Sequence, residues 1–229
     1  MDALIFDVGG VLLVPDSETV SAALRPLGIR VDAETAERAH FLGIRALDAS
    51  PDEVLVERRA YMDAYTGALG VAEPDRSHAI TALRPLWNGP NIDLWRQPVR
   101  GSGEGLRRLA ATGLKLGIVS NADGSIEEQL RRGRICQVGE GLGVPVLAIV
   151  DSHVVGVAKP AAEIFRHALD PLGVAPDHAL YIGDTVRYDV RGARAAGLQP
   201  VHFDPYTLCP YRTDHAHAAS FDDIAALVD

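Results

Sequence analysis

Ala3-Leu4-Ile5-Phe6-Asp7-Val8-Gly9-Gly10-Val11 begins as a continuous apolar run and delivers a carboxylate into a pair of glycines. A short apolar run bounded by a glycine turn predicts a buried β-strand. A carboxylate at the carboxyl end of such a strand is well placed to act as a nucleophile or a metal ligand. Gly9 stands two residues beyond Asp7 and has no side chain with which to assist it.

Similar apolar runs recur along the chain and alternate with helical patterns. The predicted strands cover 3–7, 114–119, 146–150, 179–183 and 199–203. Helical patterns lie near 102–112, 122–132, 161–171 and 187–196, and Ser220 is the expected N-cap of a last helix. This alternation predicts an α/β fold with a Rossmann-like parallel sheet.

A helical insert interrupts the alternation. Four amphipathic helices are predicted near 17–27, 32–48, 51–69 and 74–86, with starts at Asp32, Pro51 and Pro74. The break Asn88-Gly89-Pro90-Asn91 then returns the chain to the core. We therefore predict an α/β core of residues 1–15 and 91–229 and an all-helical domain of residues 16–90.

Composition limits the classes of function. The chain has 229 residues, 47% of them hydrophobic, and a net charge of −9. A folded globular protein is expected, and the acidic balance disfavours nucleic-acid binding. Two cysteines, an N-terminal strand and the lack of a long apolar run predict a cytoplasmic protein without a signal peptide or membrane helix. The sequence leaves a monomer and a homodimer equally open.

Polar groups stand where the predicted strands end. Asp7 and Asp184 each follow an apolar strand, and Ser120 ends another. Carboxyl ends of parallel strands share one crevice, and clustered carboxylates repel each other unless a cation is present. Oxygen ligands suit Mg²⁺, while a lysine and a hydroxyl donate to phosphate oxygens. The residues thus predict a site for magnesium and phosphate, in which Lys159 is the positively charged side chain.

Each of these residues also has an ordinary structural explanation. Asp7 could cap a turn, and Ser120-Asn121 could cap the next helix. Lys159 could be a solvated surface lysine, and Asp184 and Asp189 could satisfy the amides that begin a helix. The joint occurrence of all these segments in order favours the functional interpretation.

In this order, the strand-end Asp7, Ser120, Lys159-Pro160 and Gly183-Asp184 with a further Asp189 resemble the signature of the haloacid dehalogenase (HAD) superfamily. The stretch 183–197 is its most specific part. The resemblance covers roughly residues 1–14 and 99–229 and is strongest to the phosphatase branch. It implies that the helical insert is a cap that selects substrate and excludes water.

The resemblance also assigns roles to residues. It implies that Asp7 attacks phosphorus and forms an aspartyl-phosphate, with Ser120 and Lys159 as further catalytic residues. Mg²⁺ is the implied cofactor, and a small phosphorylated molecule is the implied substrate. The implied metal ligands are Asp7, the Gly9 carbonyl, Asp184 and Asp189, the last of these as a ligand or as a partner of the metal's waters. The implied phosphate-binding set is Gly10, Ser120, Asn121 and Lys159.

Gly9 departs from the phosphatase pattern, in which a second Asp acts as general acid and base. A good leaving group, a replacement acid from the cap, or a loss of catalysis in favour of binding would each explain the glycine. Dehalogenases of the family also lack that Asp, but they usually carry an aromatic residue there and lack the Gly-Asp segment found at 183–184. A 2-haloacid dehalogenase activity is therefore ranked below phosphomonoester hydrolysis.

Histidines give weaker signals. His215-Ala216-His217 resembles a metal-binding pair, but no third ligand stands close in the sequence, so a polar loop is the expected explanation. His40 and Arg45 in the helical insert are expected to be solvated helix positions.

Overall fold

Six parallel strands form the central sheet in the computed structural model of the chain, which describes residues 1–50, 58–88 and 93–228. Their order across the sheet is β10-β9-β8-β1-β4-β7. The strands are β1 (Ala3–Phe6), β4 (Lys115–Ser120), β7 (Ala148–Asp151), β8 (Ala179–Gly183), β9 (Gln199–Phe203) and β10 (Ala216–Ala218). The predicted α/β fold with a parallel sheet is confirmed.

Strand β1 lies in the middle of the sheet, where its four residues are all buried. Ile5 pairs in register with Gly117 of β4 on one side and with Tyr181 of β8 on the other. The chain order changes direction at β1, and a crevice opens at the carboxyl ends of strands at such a switch point. Asp7 is the first residue past β1 and so enters that crevice.

Helices cover the sheet. They are α5 (Ser102–Ala111), α6 (Ile126–Arg132), α7 (Ser152–Val155), α8 (Glu163–Leu172), α9 (Arg191–Ala195) and α10 (Phe221–Ala226). Phe165 of α8 packs edge-on against Tyr181, with ring centroids 4.9 Å apart. Phe221 of α10 packs closely against Gly105 of α5. A Cβ atom at residue 105 would lie 2.3 Å from the Cβ atom of Phe221.

Some elements differ from the sequence prediction. β10 is a sixth strand of the sheet that was not predicted, because Ala216-His217-Ala218 has no apolar run. A small separate sheet, β5 (Cys136–Val138) and β6 (Val144–Val146), was not predicted either. The helix expected at 187–196 is divided into a π-helical turn at Val186–Val190 and the short α9. Across the described residues, no helix combines the length and apolarity needed to span a membrane.

The chain divides into two compact units, one formed by Met1–Leu13 with Pro98–Asp229 and the other by Val14–Gln97. The second unit contains α1 (Ser17–Leu24), α2 (Ala33–Asp48), α3 (Arg59–Ala68) and α4 (Arg76–Asn88). It also contains most of a strand pair, β2 (Leu13–Pro15) and β3 (Trp95–Pro98), whose end residues Leu13 and Pro98 belong to the first unit. The helix predicted at 51–69 is described only from residue 58 onward, and most of the predicted break at 88–91 lies outside the described residues.

Aromatic rings form the core of the second unit. Tyr61 stacks on Tyr65 with centroids 5.6 Å apart, and a Cβ atom at Gly43 would lie 2.6 Å from the Tyr61 ring. His40 is buried and its Nδ1 lies 2.9 Å from the Tyr61 hydroxyl, so the expectation of a solvated His40 was wrong. Arg45 is exposed, as predicted. Asp32 caps α2 by accepting a hydrogen bond from Thr35 N, which confirms the predicted helix start.

Candidate active site

The predicted site residues lie at the carboxyl ends of β1, β4 and β8. Asp7 follows β1, Ser120 is the last residue of β4, and Asp184 follows β8. Asp7 N donates a 2.8 Å hydrogen bond to Ile182 O, which continues the pairing of β1 with β8 beyond the strand. All three side chains are buried. Their convergence follows from the parallel register, because neighbouring strands end at the same edge.

The turn after Asp7 is shaped by Gly10. Its φ is +70°, in the left-handed region that glycine adopts most easily. A Cβ atom at residue 10 would lie 1.9 Å from Asp184 Oδ2. The turn closes when Gly10 N donates to Leu13 O at 2.8 Å. Residue 10 must therefore be glycine if Asp184 is to keep its position beside the turn.

Lys159 is the cation of the site. Its ammonium group lies 2.9 Å from Asp7 Oδ2 and 2.6 Å from Asp189 Oδ1, and its side chain is 2% exposed. It also donates to the Tyr181 hydroxyl at 2.8 Å. Burial alone would lower the pKa of Lys159, but the charges of Asp189 and Asp7 raise that pKa above its usual value. The alternative that Lys159 is a solvated surface lysine is therefore wrong.

Asp189 is held by both of its oxygens. Oδ1 accepts from Lys159 and lies 2.9 Å from the Tyr181 hydroxyl, while Oδ2 accepts from Thr185 N at 3.0 Å and Thr185 Oγ1 at 2.5 Å. Burial tends to raise the pKa of Asp189, but Lys159 and Thr185 lower it below its usual range. Asp189 is thus an ionised partner of Lys159.

Asp7 has the opposite electrostatic character. Burial raises its pKa to about 7, and the charges of Asp189 and Asp184 act in the same direction against the lowering effect of Lys159. Its Oδ1 accepts from Val8 N at 2.7 Å and its Oδ2 faces Lys159. The ionised form of Asp7 is therefore disfavoured in this site, and a bound cation would stabilise it.

Asn121 fixes the backbone of the lysine. Its Nδ2 donates to Lys159 O at 3.0 Å, and its Oδ1 accepts from Lys159 N at 2.8 Å. This two-point contact joins the end of β4 to the loop that carries Lys159. No sequence pattern predicted this contact, because the two residues are 38 positions apart.

Tyr181 is a site residue that sequence reasoning missed. It lies within β8, fully buried, and its hydroxyl contacts Lys159 Nζ, Asp189 Oδ1 and Val119 O. Burial and the nearby Asp189 raise the pKa of Tyr181 well above its ordinary value, so the phenol stays protonated. A phenol inside an apolar strand needs a polar partner, and that rule was the available signal.

Comparison with known proteins identifies the family. The sequence profile of the haloacid dehalogenase-like hydrolases matches residues 1–197. The chain belongs to this family.

Two HAD relatives illustrate the range of similarity. A phosphoserine phosphatase from Thermus thermophilus is 39% identical over 146 residues, which cover 64% of this chain and 53% of the relative. The chain thus spans about half the length of that relative. Haloacid dehalogenase-like hydrolase domain-containing protein 3 from Mus musculus is 28% identical over 86% of this chain and 80% of its own length.

A solved structure shares the HAD fold. The putative HAD-hydrolase YfnB from Bacillus subtilis, crystallised with bound magnesium, superimposes with a TM-score of 0.62. The alignment covers 99% of this chain and 98% of YfnB at 19% sequence identity. At that identity the likeness establishes the fold.

The HAD core also brings together a second set of potential ligands. Ligand atoms of His202, Cys209, His215 and His217 all lie within 4.8 Å of one another. The explanation of His215 and His217 as a plain polar loop was therefore incomplete, because His202 on β9 and Cys209 on the segment after it supply two further potential ligands. Burial lowers the pKa of the three imidazoles, to about 4 for His215, so these rings are neutral at pH 7.

Proposed function

We propose that this HAD-like hydrolase is a Mg²⁺-dependent phosphomonoesterase that acts on a small phosphorylated metabolite through an aspartyl-phosphate on Asp7. The observation that carries the proposal is the environment of Asp7. A buried carboxylate with a raised pKa faces Lys159 on one side and shares a cluster with Asp184 and Asp189. A carboxylate in this environment is suited to bind a metal cation with one oxygen and to form a bond to a phosphoryl group with the other.

The donor set fits Mg²⁺. Oxygen atoms of Asp7, Asp184 and Asp189 lie within 4.8 Å of one another, and hard carboxylate oxygens are the ligands that this ion prefers. Asp7, Asp184 and the Gly9 carbonyl would hold the ion, and it would supply charge neutralisation beside the nucleophile. For Asp189 we favour a role in orienting Lys159, since both of its oxygens already accept hydrogen bonds from protein groups.

The chain's own residues would carry out two steps. In the first, an Asp7 oxygen forms a bond to phosphorus, the ester P–O bond breaks, and the alcohol leaves with a proton taken from water. In the second, water attacks phosphorus, inorganic phosphate is released and the Asp7 carboxylate is restored. Ser120, Lys159 and the backbone at Asn121 would donate to the phosphoryl oxygens during both steps. The Gly10 amide, which the resemblance also implied as a phosphate donor, already donates to Leu13 O, so we propose that Gly10 instead shapes the turn beside the phosphate.

Gly9 limits the substrates that this site can handle. A general acid typically contributes about 10²–10⁴ in rate, and residue 9 offers no side chain for that role. The proposed substrates are therefore phosphomonoesters whose leaving group departs without strong assistance. We propose that the unit Val14–Gln97 is the cap of this enzyme and selects among them.

The relatives support this choice. The Thermus relative is named a phosphoserine phosphatase, and YfnB was crystallised with magnesium. The chain matches about half of the former. The substrate of that phosphatase is accordingly a starting point for a screen of small phosphorylated metabolites.

Gly9 also favours a second candidate, a HAD-fold protein that binds a phosphorylated ligand without turning it over. Such a protein would keep the Lys159 and Asn121 geometry, but it would gain nothing from a nucleophile. The intact Asp7 therefore favours the enzyme.

Hydrolysis of p-nitrophenyl phosphate with and without Mg²⁺ tests the proposal. Asp7→Asn is expected to abolish metal-dependent turnover, while Asp170→Asn, at an exposed position on α8, should leave turnover unchanged. Trapping with beryllium fluoride should stabilise the wild type and not Asp7→Asn. Turnover that survives Asp7→Asn would overturn the mechanism. Fluoride trapping without any turnover would favour the binding protein.

A further inference from the structure

Three histidines and a cysteine converge next to the carboxylate site. His202 on β9 and His217 on β10 are register partners in neighbouring parallel strands. His215 precedes β10, and Cys209 lies on the segment that joins the two strands. Two neighbouring strands and the segment between them thus bring four residues into one group, whose ligand atoms lie within 4.8 Å of one another.

The separations within the group suit a tetrahedral ion. His202 Nδ1 lies 3.0 Å from His215 Nε2, and Cys209 Sγ lies 3.8 Å from the same nitrogen. With Zn–N of about 2.0–2.1 Å and Zn–S of about 2.3 Å, tetrahedral ligands stand about 3.3 Å apart for N and N and about 3.6 Å for N and S. Shifts of a few tenths of an ångström would bring these atoms into coordination.

His202 already has the protonation pattern of a metal ligand. Its Nε2 donates a 2.8 Å hydrogen bond to the backbone carbonyl of Asp184. The other nitrogen, Nδ1, therefore keeps its lone pair in the neutral ring and directs it into the cluster. A metal-bound histidine characteristically donates its second N–H to a carbonyl or carboxylate in this way.

Unpartnered nitrogens mark the other two rings. His215 Nδ1 and His217 Nε2 are buried without a hydrogen-bond partner in the described part of the chain. The His215 side chain is 0% exposed, and its Nδ1 lies 3.7 Å from Asp214 Oδ2, beyond hydrogen-bond distance. If His215 Nε2 gave its lone pair to a metal, Nδ1 would carry the proton and could donate it toward Asp214.

The loop that carries Cys209 is built around Asp204. This buried carboxylate accepts from Leu208 N at 2.8 Å and from Cys209 N at 2.9 Å. Tyr211 N in turn donates to Cys209 Sγ at 3.4 Å. The Asp204 carboxylate therefore fixes the backbone at Cys209, and the sulfur itself accepts a backbone hydrogen bond.

We propose that His202, Cys209, His215 and His217 bind one structural transition-metal ion of the Zn²⁺ class, separate from the carboxylate site. Four nitrogen and sulfur donors in one closed group suit tetrahedral Zn²⁺ and do not suit Mg²⁺, which prefers oxygen ligands. The ion would tie the segment between β9 and β10 to the edge of the sheet. Through the hydrogen bond from His202 it would also steady the backbone of Asp184.

Cobalt titration of the intact protein in saturating Mg²⁺ tests this proposal. Wild type should bind one equivalent of Co²⁺ and show the visible bands of a tetrahedral ion and a thiolate-to-cobalt charge-transfer band. Cys209→Ala should lose the charge-transfer band, whereas Cys136→Ala, at a buried cysteine on β5, should retain it. His217→Ala should weaken binding by about 100-fold or more, and His178→Gln, at an exposed histidine, should not.

Two further measurements protect the test against misfolding and against binding at the wrong site. Zn²⁺ should raise the thermal midpoint of wild type and of Asp7→Asn, but not that of His217→Ala, with circular dichroism confirming that each variant is folded. Absence of stoichiometric Co²⁺ binding to folded wild type would show a stacked cluster of neutral histidines and overturn the proposal. A charge-transfer band that persists in Cys209→Ala would also overturn it.

Discussion

Gly10 and Asp184 approach so closely that a Cβ atom at residue 10 would lie 1.9 Å from Asp184 Oδ2. One residue comes from the turn after β1 and the other from the end of β8. Their contact brings the nucleophile loop and the proposed metal-binding carboxylate together. Any side chain at residue 10 must therefore displace Asp184 or the turn.

Gly10→Ala is expected to lower kcat/KM for p-nitrophenyl phosphate by about 10²-fold, because an ångström of displacement at a site typically costs that much. Gly156→Ala is the matched control, since Gly156 has a similar φ of +74° and no atom within 4 Å of an added Cβ. Both variants should lose about 1–2 kcal/mol of stability from the left-handed backbone. Equal activity in the two variants would show that the contact with Asp184 has no functional importance.

Lys159→Met should reduce kcat by about 10²–10³, because it removes the buried cation that lies 2.9 Å from the proposed nucleophile Asp7. It also leaves Asp7 and Asp189 close together without their shared cation. Lys115→Met is the control, since Lys115 is the other of the two lysines of the chain and lies at the opposite end of β4 from Ser120, where it donates to Leu172 O. Steady-state kinetics and thermal unfolding of both variants measure the effects. A Lys159→Met enzyme with full kcat would contradict the assigned role.

The raised pKa of Asp7 should change how the stability of the metal-free protein depends on pH. The pKa of Asp7 is about 7 in the folded state, against an ordinary value of 3.8, so the folded state binds more protons than the unfolded state between about pH 4 and pH 7. The free energy of unfolding should therefore fall as the pH rises through this window. Asp7→Asn lacks this contribution and should show a flatter profile.

Denaturant unfolding at several pH values measures that difference. Asp189, whose pKa is lowered, contributes in the opposite sense below its unfolded pKa, and it does so in both proteins. Mg²⁺ should reduce the slope in wild type by favouring ionised Asp7. Parallel profiles for wild type and Asp7→Asn would mean that Asp7 does not carry the raised pKa.

Because residue 9 is a glycine, we predict that kcat/KM depends strongly on the pKa of the leaving group. Wild type should hydrolyse aryl phosphates much faster than alkyl phosphates, because residue 9 cannot protonate the departing oxygen. Gly9→Asp should reduce the difference in rate between aryl and alkyl phosphates. The slope of log kcat/KM against the pKa of the leaving group measures this difference. Identical slopes for wild type and Gly9→Asp would indicate that another group supplies the proton.

The sheet and the order of the site residues could be predicted because their signals are local. Apolar runs of four to six residues end in Asp7, Ser120 and Asp184, and a parallel sheet brings such ends to one edge. The π-helical turn at Val186–Val190 was not predicted. It depends on Thr185, whose hydroxyl accepts from Tyr188 N and Asp189 N while its own proton is donated to Asp189.

The sequence by itself determined the α/β class, five strands of the central sheet and the positions of Asp7, Ser120 and Asp184 at strand ends. Only the tertiary structure decided which side chains meet. Asn121 holds the backbone of Lys159, and Tyr181 joins Lys159 to Asp189. His202 and His217 face each other because β9 and β10 pair in one register. Hydrophobic periodicity depends on residues that are close in sequence, whereas the register of the strands and the path of the loops depend on the packing of the whole core.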